Sequence, residues 1–234
     1  MLTLVDVRVR ASGQTAPLLE IPRLEVSAGE RIVVHGLSGA GKSLLLSVLA
    51  GALAAGAPGE LTLTGRRETT GCVRVGWVPQ RSVEALHPLV PLGRQLRLVT
   101  GANRTRTSDV LGRVGLGDPR IAQRRPAELS GGQAQRAAVA LAVLSGADLV
   151  VADEPTSALD PQTRDEVLSL LTGALRPGEP DATAPALVVS THDAAVSALL
   201  GARRLDVVGG RIVADTPAPG AAALGAPLAT GAGS

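Results

Sequence analysis

Between Gly36 and Ser43 the chain reads GLSGAGKS, which fits G-x-x-x-x-G-K-[ST]. Glycines in such a run let the backbone wrap closely, so that successive N–H groups converge on an anion. A helix opening directly after the loop adds the positive end of its dipole. Lys42 is placed to reach the β- and γ-phosphates of a nucleotide, and the Ser43 hydroxyl to ligate Mg²⁺. Gly36, Leu37, Ser38, Gly39, Ala40, Gly41, Lys42 and Ser43 are therefore candidate phosphate-binding residues. The competing reading is a glycine turn with a chance lysine. It is weak here, because Lys42 is the single lysine in a chain with 22 arginines.

Two further runs bear on the same chemistry. Leu149-Val-Val-Ala-Asp153-Glu154 is an apolar stretch ending in two acids, the pattern of a buried strand delivering carboxylates to its C-terminal edge. Beside a phosphate-binding loop, Asp153 fits a Mg²⁺ role, and Glu154 is placed to polarise an attacking water as general base. Alone, Asp-Glu after a strand is usually just a turn. Leu129-Ser-Gly-Gly-Gln133 offers a hydroxyl and free amides at a helix start. Taken singly, it reads as an ordinary capped helix.

The elements that must position these residues follow from periodicity. Leu2–Val9 alternates apolar and polar residues, and strand-like runs continue at Leu18–Val26, Arg31–His35, Leu61–Thr64 and Val73–Val78. A helical run starts at Lys42 and reaches about Leu53. From about Arg81 to Ser145 the pattern is helical, with Leu92–Val99, Ser108–Val114 and a run through Ala134–Leu144 capped by Ser130. Strands return at Leu149–Ala152, Leu187–Ser190, Leu205–Val208 and Arg211–Ala214, with helices at Gln162–Ala174 and Ala194–Leu200 between them. Such alternation predicts a largely parallel sheet covered on both faces, with a helical block inserted. Arg176–Ala186 reads as a surface loop, and the uncharged stretch 216–234 as a disordered tail.

Composition sets outer limits. The 234 residues are 45% hydrophobic, which excludes wholesale disorder. A net charge of +2, with basic pairs scattered rather than clustered, is no footprint for nucleic acid. The single cysteine, Cys72, permits no disulfide within the chain. Its strand-like setting predicts a buried, inert thiol. No signal peptide is visible, and the longest weakly polar stretch, Leu44–Ala57, is shorter than the ~18–20 residues of a membrane span. The expectation is a chain that is soluble, or peripheral on a partner.

The order and spacing of these runs resemble the ATP-binding subunits of ABC transporters. The resemblance spans roughly residues 1–215. It rests on Gly36–Ser43, LSGGQ at 129–133, VVADEPTSALD at 150–160, Gln80 in WVPQ and His192 in STHD. It implies an α/β P-loop NTPase (RecA-like) core with a mainly parallel sheet, an N-terminal antiparallel β portion and an α-helical subdomain inserted over 81–145. It also implies ATP and Mg²⁺, and two such domains closing head to tail. The P-loop of one and Ser130, Gly131, Gly132 and Gln133 of the other would then sandwich each ATP. Matched by position, Gln80 touches Mg²⁺ and the attacking water, Asp160 belongs to a loop coupling the two sites, and His192 contacts the γ-phosphate. The implied partners are integral-membrane permease subunits, a second ATP-binding subunit, identical or not, and, for an importer, an extracytoplasmic binding protein. The implied location is the cytoplasmic face of the cell membrane.

A finer resemblance follows Gln80. Residues 80–95 are similar to the corresponding region of oligopeptide, dipeptide and nickel importers, though Arg81-Ser82 and His87 depart from that pattern. The expectation is an importer of peptides or nickel. The alternatives are an exporter ATPase, a soluble ABC protein acting on DNA or ribosomes, and a catalytically silent scaffold. The intact Lys42, Asp153, Glu154 and His192 argue against the last. ABC subunits commonly stack adenine on an aromatic residue near the end of the first strand, where this chain has Ala11 after Arg10. His35, Trp77 and His87 are read as filler, core packing and a loop histidine.

Overall fold

Alternating leucine and valine along the N-terminal segment bury one side of β1 (Leu2–Ala11) and β2 (Leu19–Val26), which pair antiparallel. The computed structural model describes residues 1–53, 60–157, 161–174 and 184–220. β3 (Arg31–His35) leads through the glycine loop into α1 (Lys42–Ala50), and β4 (Leu61–Thr69) returns antiparallel to β1. β5 (Val75–Val78) precedes the helical block of α2 (Leu92–Thr100), α3 (Arg104–Arg113) and α4 (Gly131–Leu144). β6 (Leu149–Asp153), α5 (Pro161–Ala174), β7 (Ala186–Thr191), α6 (Ala195–Leu200), β8 (Arg203–Val208) and β9 (Arg211–Thr216) complete the described chain.

The strands form one sheet in the order β4-β1-β2-β9-β8-β3-β7-β6-β5. β5, β6, β7, β3 and β8 run parallel in adjacent pairs, while the β1, β2 and β4 portion is antiparallel. The parallel core with its antiparallel N-terminal portion and inserted helices has the layout that the resemblance implies. The central strands are apolar on both faces because helices cover both. Val33 packs toward the helical side with Leu96, Val110 and Leu171, while Ile32 and Val34 pack toward α1 with Leu45 and Leu49.

With no Phe or Tyr to fill space, the core closes by approach of small residues. α4 buries Ala134, Ala137, Ala138, Ala140 and Ala142. A Cβ on Gly76 of β5 would stand only 3.2 Å from the Ala142 Cβ.

Several boundaries differ from the sequence expectation. α1 ends at Ala50 because Gly51 turns left-handed (φ +72) and its N–H caps the last turn. α3 starts at Arg104, where the Asn103 side chain accepts the Arg106 N–H, four residues ahead of the expected Ser108. β9 continues through Thr216. Cys72 is exposed, not buried, because β5 begins only at Val75 and Cys72 lies in the bend after Gly71. Among the described residues, no helix is long and apolar enough to cross a membrane. Asp160, most of the expected 176–186 loop and residues 221–234 lie outside the described residues.

Candidate nucleotide site

Parallel pairing puts the C-terminal ends of neighbouring strands along one edge, where α/β sheets place their ligand sites. Here His35 of β3 is level with Thr191 of β7 and Asp206 of β8, and Asp153 of β6 with Ser190 of β7. β5 joins the same edge through Val78 opposite Ala152, so Gln80 follows two residues past its end, exposed. Glycine loop, Asp153, Glu154, His192 and Gln80 therefore all leave the sheet on one side.

The loop itself is held close to its surroundings. A Cβ on Gly36 would stand 2.4 Å from the Val207 carbonyl oxygen, so only glycine fits beside β8. The turn between β8 and β9 clasps the loop through the Gly210 N–H donating to the Ala40 carbonyl at 2.8 Å. Gly41, with φ +103, turns the chain into α1. Ser43 stands exposed in the first turn of that helix.

Lys42 is 4% exposed, and its ammonium is fully occupied. Nζ donates to the Gly36 carbonyl at 2.9 Å and the Leu37 carbonyl at 3.0 Å, and meets Glu154 Oε1 at 3.0 Å. The other Glu154 oxygen lies 3.5 Å from His192 Nδ1. Lysine, carboxylate and histidine, from three separate motifs, thus form one contiguous cluster.

Glu154 adopts φ +42, a left-handed backbone that a non-glycine residue holds only under constraint. The constraint is Ser190, a fully buried residue that sequence reasoning missed. Its hydroxyl accepts the Glu154 N–H at 2.8 Å and donates to Asp153 Oδ1 at 2.6 Å. The signal for it was a polar residue closing the apolar run of β7.

A second unforeseen support lies behind His192. Arg164 of α5 contacts Asp193 Oδ2 at 2.6 Å, and Asp193 Oδ1 accepts the Ala195 N–H at 2.9 Å. The backbone N–H of Ala195 and then the guanidinium of Arg164 hold the Asp193 carboxyl below the usual carboxylate range. Asp206 is likewise held low, first by its hydrogen bonds from Arg204 and then by His35.

The LSGGQ run does not join this cluster. Among the described residues, Ser130 and Gln133 bond each other: Ser130 Oγ accepts the Gln133 N–H at 3.2 Å, and Gln133 Oε1 accepts the Ser130 N–H at 3.0 Å. Gly131 and Gly132 are exposed at the start of α4. The run is a well-formed capping box with both glycines exposed.

A family model described as ABC transporter matches residues 19–157. The chain belongs to the ABC transporter family. Its fold and motifs are those of an ATP-hydrolysing cassette. It is 34% identical over 238 residues to the macrolide export ATP-binding/permease protein MacB 1/2 of Paracoccus denitrificans (strain Pd 1222), covering 92% of this chain and 34% of that protein. It is 33% identical over 241 residues to the pyoverdine export ATP-binding/permease protein PvdT of Pseudomonas putida, covering 93% of this chain and 34% of that protein. The chain thus spans about a third of the length of these curated relatives. Among solved structures, it superposes with a TM-score of 0.73 and 27% identity on the ATP-binding cassette MJ0796 in a dimeric post-hydrolysis state bound to ADP and Pi. That match covers 94% of this chain and all of the other. A bacterial Atm1-family ABC exporter with ATP bound shares the fold at TM-score 0.70 and 24% identity, over 92% of this chain and 38% of that one. The curated relatives named here are export proteins, which supports the exporter alternative over the peptide or nickel import expected from residues 80–95.

Proposed function

We propose that the chain is the ATPase cassette of an ABC exporter for small molecules, peripheral on the cytoplasmic face of the membrane through its permease. The contiguous Lys42–Glu154–His192 cluster beside the glycine loop carries the hydrolytic part of this reading. The relatives named for macrolide and pyoverdine export support the direction of transport.

In this reading the amides of Gly36–Ser43 bind the phosphates of ATP, and Lys42 neutralises the terminal ones. An ammonium has three N–H donors. All three are engaged here, two by carbonyls and one by Glu154. A γ-phosphate reaching Lys42 competes with Glu154 for it. Displacing the carboxylate frees it to take a proton from the attacking water, so binding also arms the base. His192, 3.5 Å from the same carboxylate, is placed to meet the γ-phosphate. The Ser43 hydroxyl, the Asp153 carboxylate and the Gln80 amide are hard oxygen donors, a set that suits Mg²⁺. Asp153 keeps Oδ2 available while Oδ1 is fixed by Ser190. Held there, Mg²⁺ would offset charge developing on the phosphates. Ser130–Gln133, outward-facing and remote from this cluster in hydrogen bonding, would complete the site of a second copy or a paired cassette.

The test follows from direction. In cells carrying the chain with its membrane partner, Lys42→Ala should raise accumulation of a fluorescent macrolide or siderophore. Unchanged accumulation, with reduced uptake of peptide or nickel instead, would overturn export.

A further inference from the structure

His35 is a polar residue that the nucleotide reading leaves unused. It ends β3, directly before Gly36, and its ring is half-buried between β8 and the residue following β7. Nδ1 lies 2.8 Å from Asp206 Oδ1 and 3.0 Å from Arg204 Nη2. Nε2 lies 3.2 Å from the main-chain carbonyl of His192. Arg204 also grips Asp206 Oδ1 through Nε at 2.9 Å and Nη2 at 2.7 Å.

These partners fix where the hydrogens stand. A carbonyl only accepts, so the contact with His192 requires a hydrogen on Nε2. When the ring is an imidazolium, Nδ1–H donates to Asp206 and Nε2–H to His192. When the ring is neutral, one nitrogen is bare. At Nδ1 the neutral ring faces two partners, Asp206, which only accepts and favours Nδ1–H, and Arg204, which only donates and favours a bare Nδ1 with the hydrogen on Nε2. Asp206 Oδ1 already receives two bonds from Arg204, so it does not need the Nδ1 hydrogen, and the Nε2–H tautomer satisfies both Arg204 and the His192 carbonyl.

We infer that His35 is a positioning residue for His192: its Nε2–H holds the loop carrying His192 against the start of the phosphate loop, and Arg204 keeps that hydrogen in place. The inference rests on the reading of His192 as the residue that meets the γ-phosphate. His35 touches neither substrate nor reacting atoms. It acts by fixing the main chain from which the His192 ring reaches Glu154, and its peptide link to Gly36 joins that loop to the phosphate cradle.

The experiment compares His35→Leu, which lacks the donor, with His35→Gln, whose amide N–H reaches the Nε2 position. Both are measured in the full chain alongside Arg204→Leu, His192→Ala and the double variant His35→Leu/His192→Ala. Steady-state hydrolysis, nucleotide binding and ¹⁵N shifts of the ring nitrogens are the readouts. The chain has three histidines, so single substitutions assign the spectrum. His35→Leu should lower kcat about five- to tenfold, the worth of one net hydrogen bond, with nucleotide Kd within about twofold. His35→Gln should recover most of kcat, and His35→Leu should add nothing on top of His192→Ala. In the wild type the neutral His35 ring should be the Nε2–H tautomer, moving toward Nδ1–H in Arg204→Leu with a matching fall in kcat. A wild-type Nδ1–H tautomer overturns the inference whatever the variants do, as does an equal loss in His35→Leu and His35→Gln. If His192→Ala is impaired but His35→Leu is not, the positioning role alone fails. If His192→Ala turns over like wild type, the underlying reading of His192 fails and the inference falls with it.

Discussion

Replacing Ser190 by alanine should damage both stability and turnover, and the size of each effect follows from two hydrogen bonds. The hydroxyl donates to the Asp153 carboxylate at 2.6 Å and accepts the Glu154 N–H at 2.8 Å, in a residue with no exposed surface. A hydrogen bond to a charged group contributes about 1.5–3 kcal/mol, and a buried N–H left unpaired costs about 1–3 kcal/mol. The two losses share one oxygen, so together they should come to about 2–5 kcal/mol. For a chain of this size each kcal/mol lowers Tm by about 2–4 °C, giving a fall of roughly 4–20 °C. Glu154 would also lose the bond that holds its φ of +42. A displaced catalytic group of this kind can cost up to about 10²-fold, so kcat should fall about 10- to 100-fold. KM for ATP should move little, because Ser190 touches neither Lys42 nor the glycine loop. Ser190→Thr keeps the hydroxyl and adds a methyl to a packed site, costing about 1–3 kcal/mol while preserving kcat. Thermal unfolding and steady-state ATPase assays provide the measurements. If Ser190→Ala stays within about 2 °C and twofold in kcat of wild type, the hydroxyl is not what holds Glu154.

Glu154→Gln should bind ATP but hydrolyse it about 10²–10⁴-fold more slowly, and light scattering should show an ATP-dependent dimer; near-normal turnover would remove Glu154 from the base role. Acid should destabilise the fold through Asp193 and Asp206, whose folded pKa values lie below ordinary. Depressed values contribute stability that is full above the unfolded carboxylate pKa of about 4 and is lost as pH falls through the folded values. Urea midpoints should therefore drop below about pH 4, less steeply in Asp193→Asn than in wild type; parallel pH profiles would remove Asp193 from that role. β1 ends at Ala11 with Arg10 before it, so no aromatic ring is available there to stack a base. GTP should therefore bind within about tenfold of ATP, a gap of ~1.4 kcal/mol, and Ala11→Tyr should tighten ATP. A strong ATP preference in wild type, read by nucleotide titration, would show that another group grips the adenine.

The parts legible in the sequence are those written in consecutive residues. The glycine loop, the paired acids at the end of β6 and the capping box of α4 each fit within eight residues, and strand alternation is a local signal. Ser190, Arg164 with Asp193, and His35 with Arg204 and Asp206 were not legible as site residues. Their meaning comes from register: β6 against β7 sets Ser190 beside Asp153, and β3 against β8 sets His35 beside Asp206 across 171 positions. No local pattern encodes such a pairing. Cys72 was misplaced for the opposite reason. Apolar neighbours suggested a strand three residues before Val75, where β5 begins, and the left-handed turn at Gly71 sets the boundary instead.

The importer expectation, which the export relatives do not support, rested on a segment whose pattern is explained by packing. Gln95 closes the stretch that resembled peptide and nickel importers, and it is buried. Its Oε1 accepts the His87 N–H at 2.8 Å, and its Nε2 donates to the Val90 carbonyl at 2.9 Å. The glutamine therefore clasps the loop 87–90 onto the first turn of α2. Around the clasp Val83 and Leu89 are exposed, and Arg81 (exposed) and Ser82 (buried) stand where the importer pattern has an acid-proline pair. Of the departures from that pattern, only Arg81 is an exposed side chain outside the clasp: Ser82 is buried, and the His87 N–H belongs to the clasp itself, so apart from Arg81 matches and departures alike answer to packing.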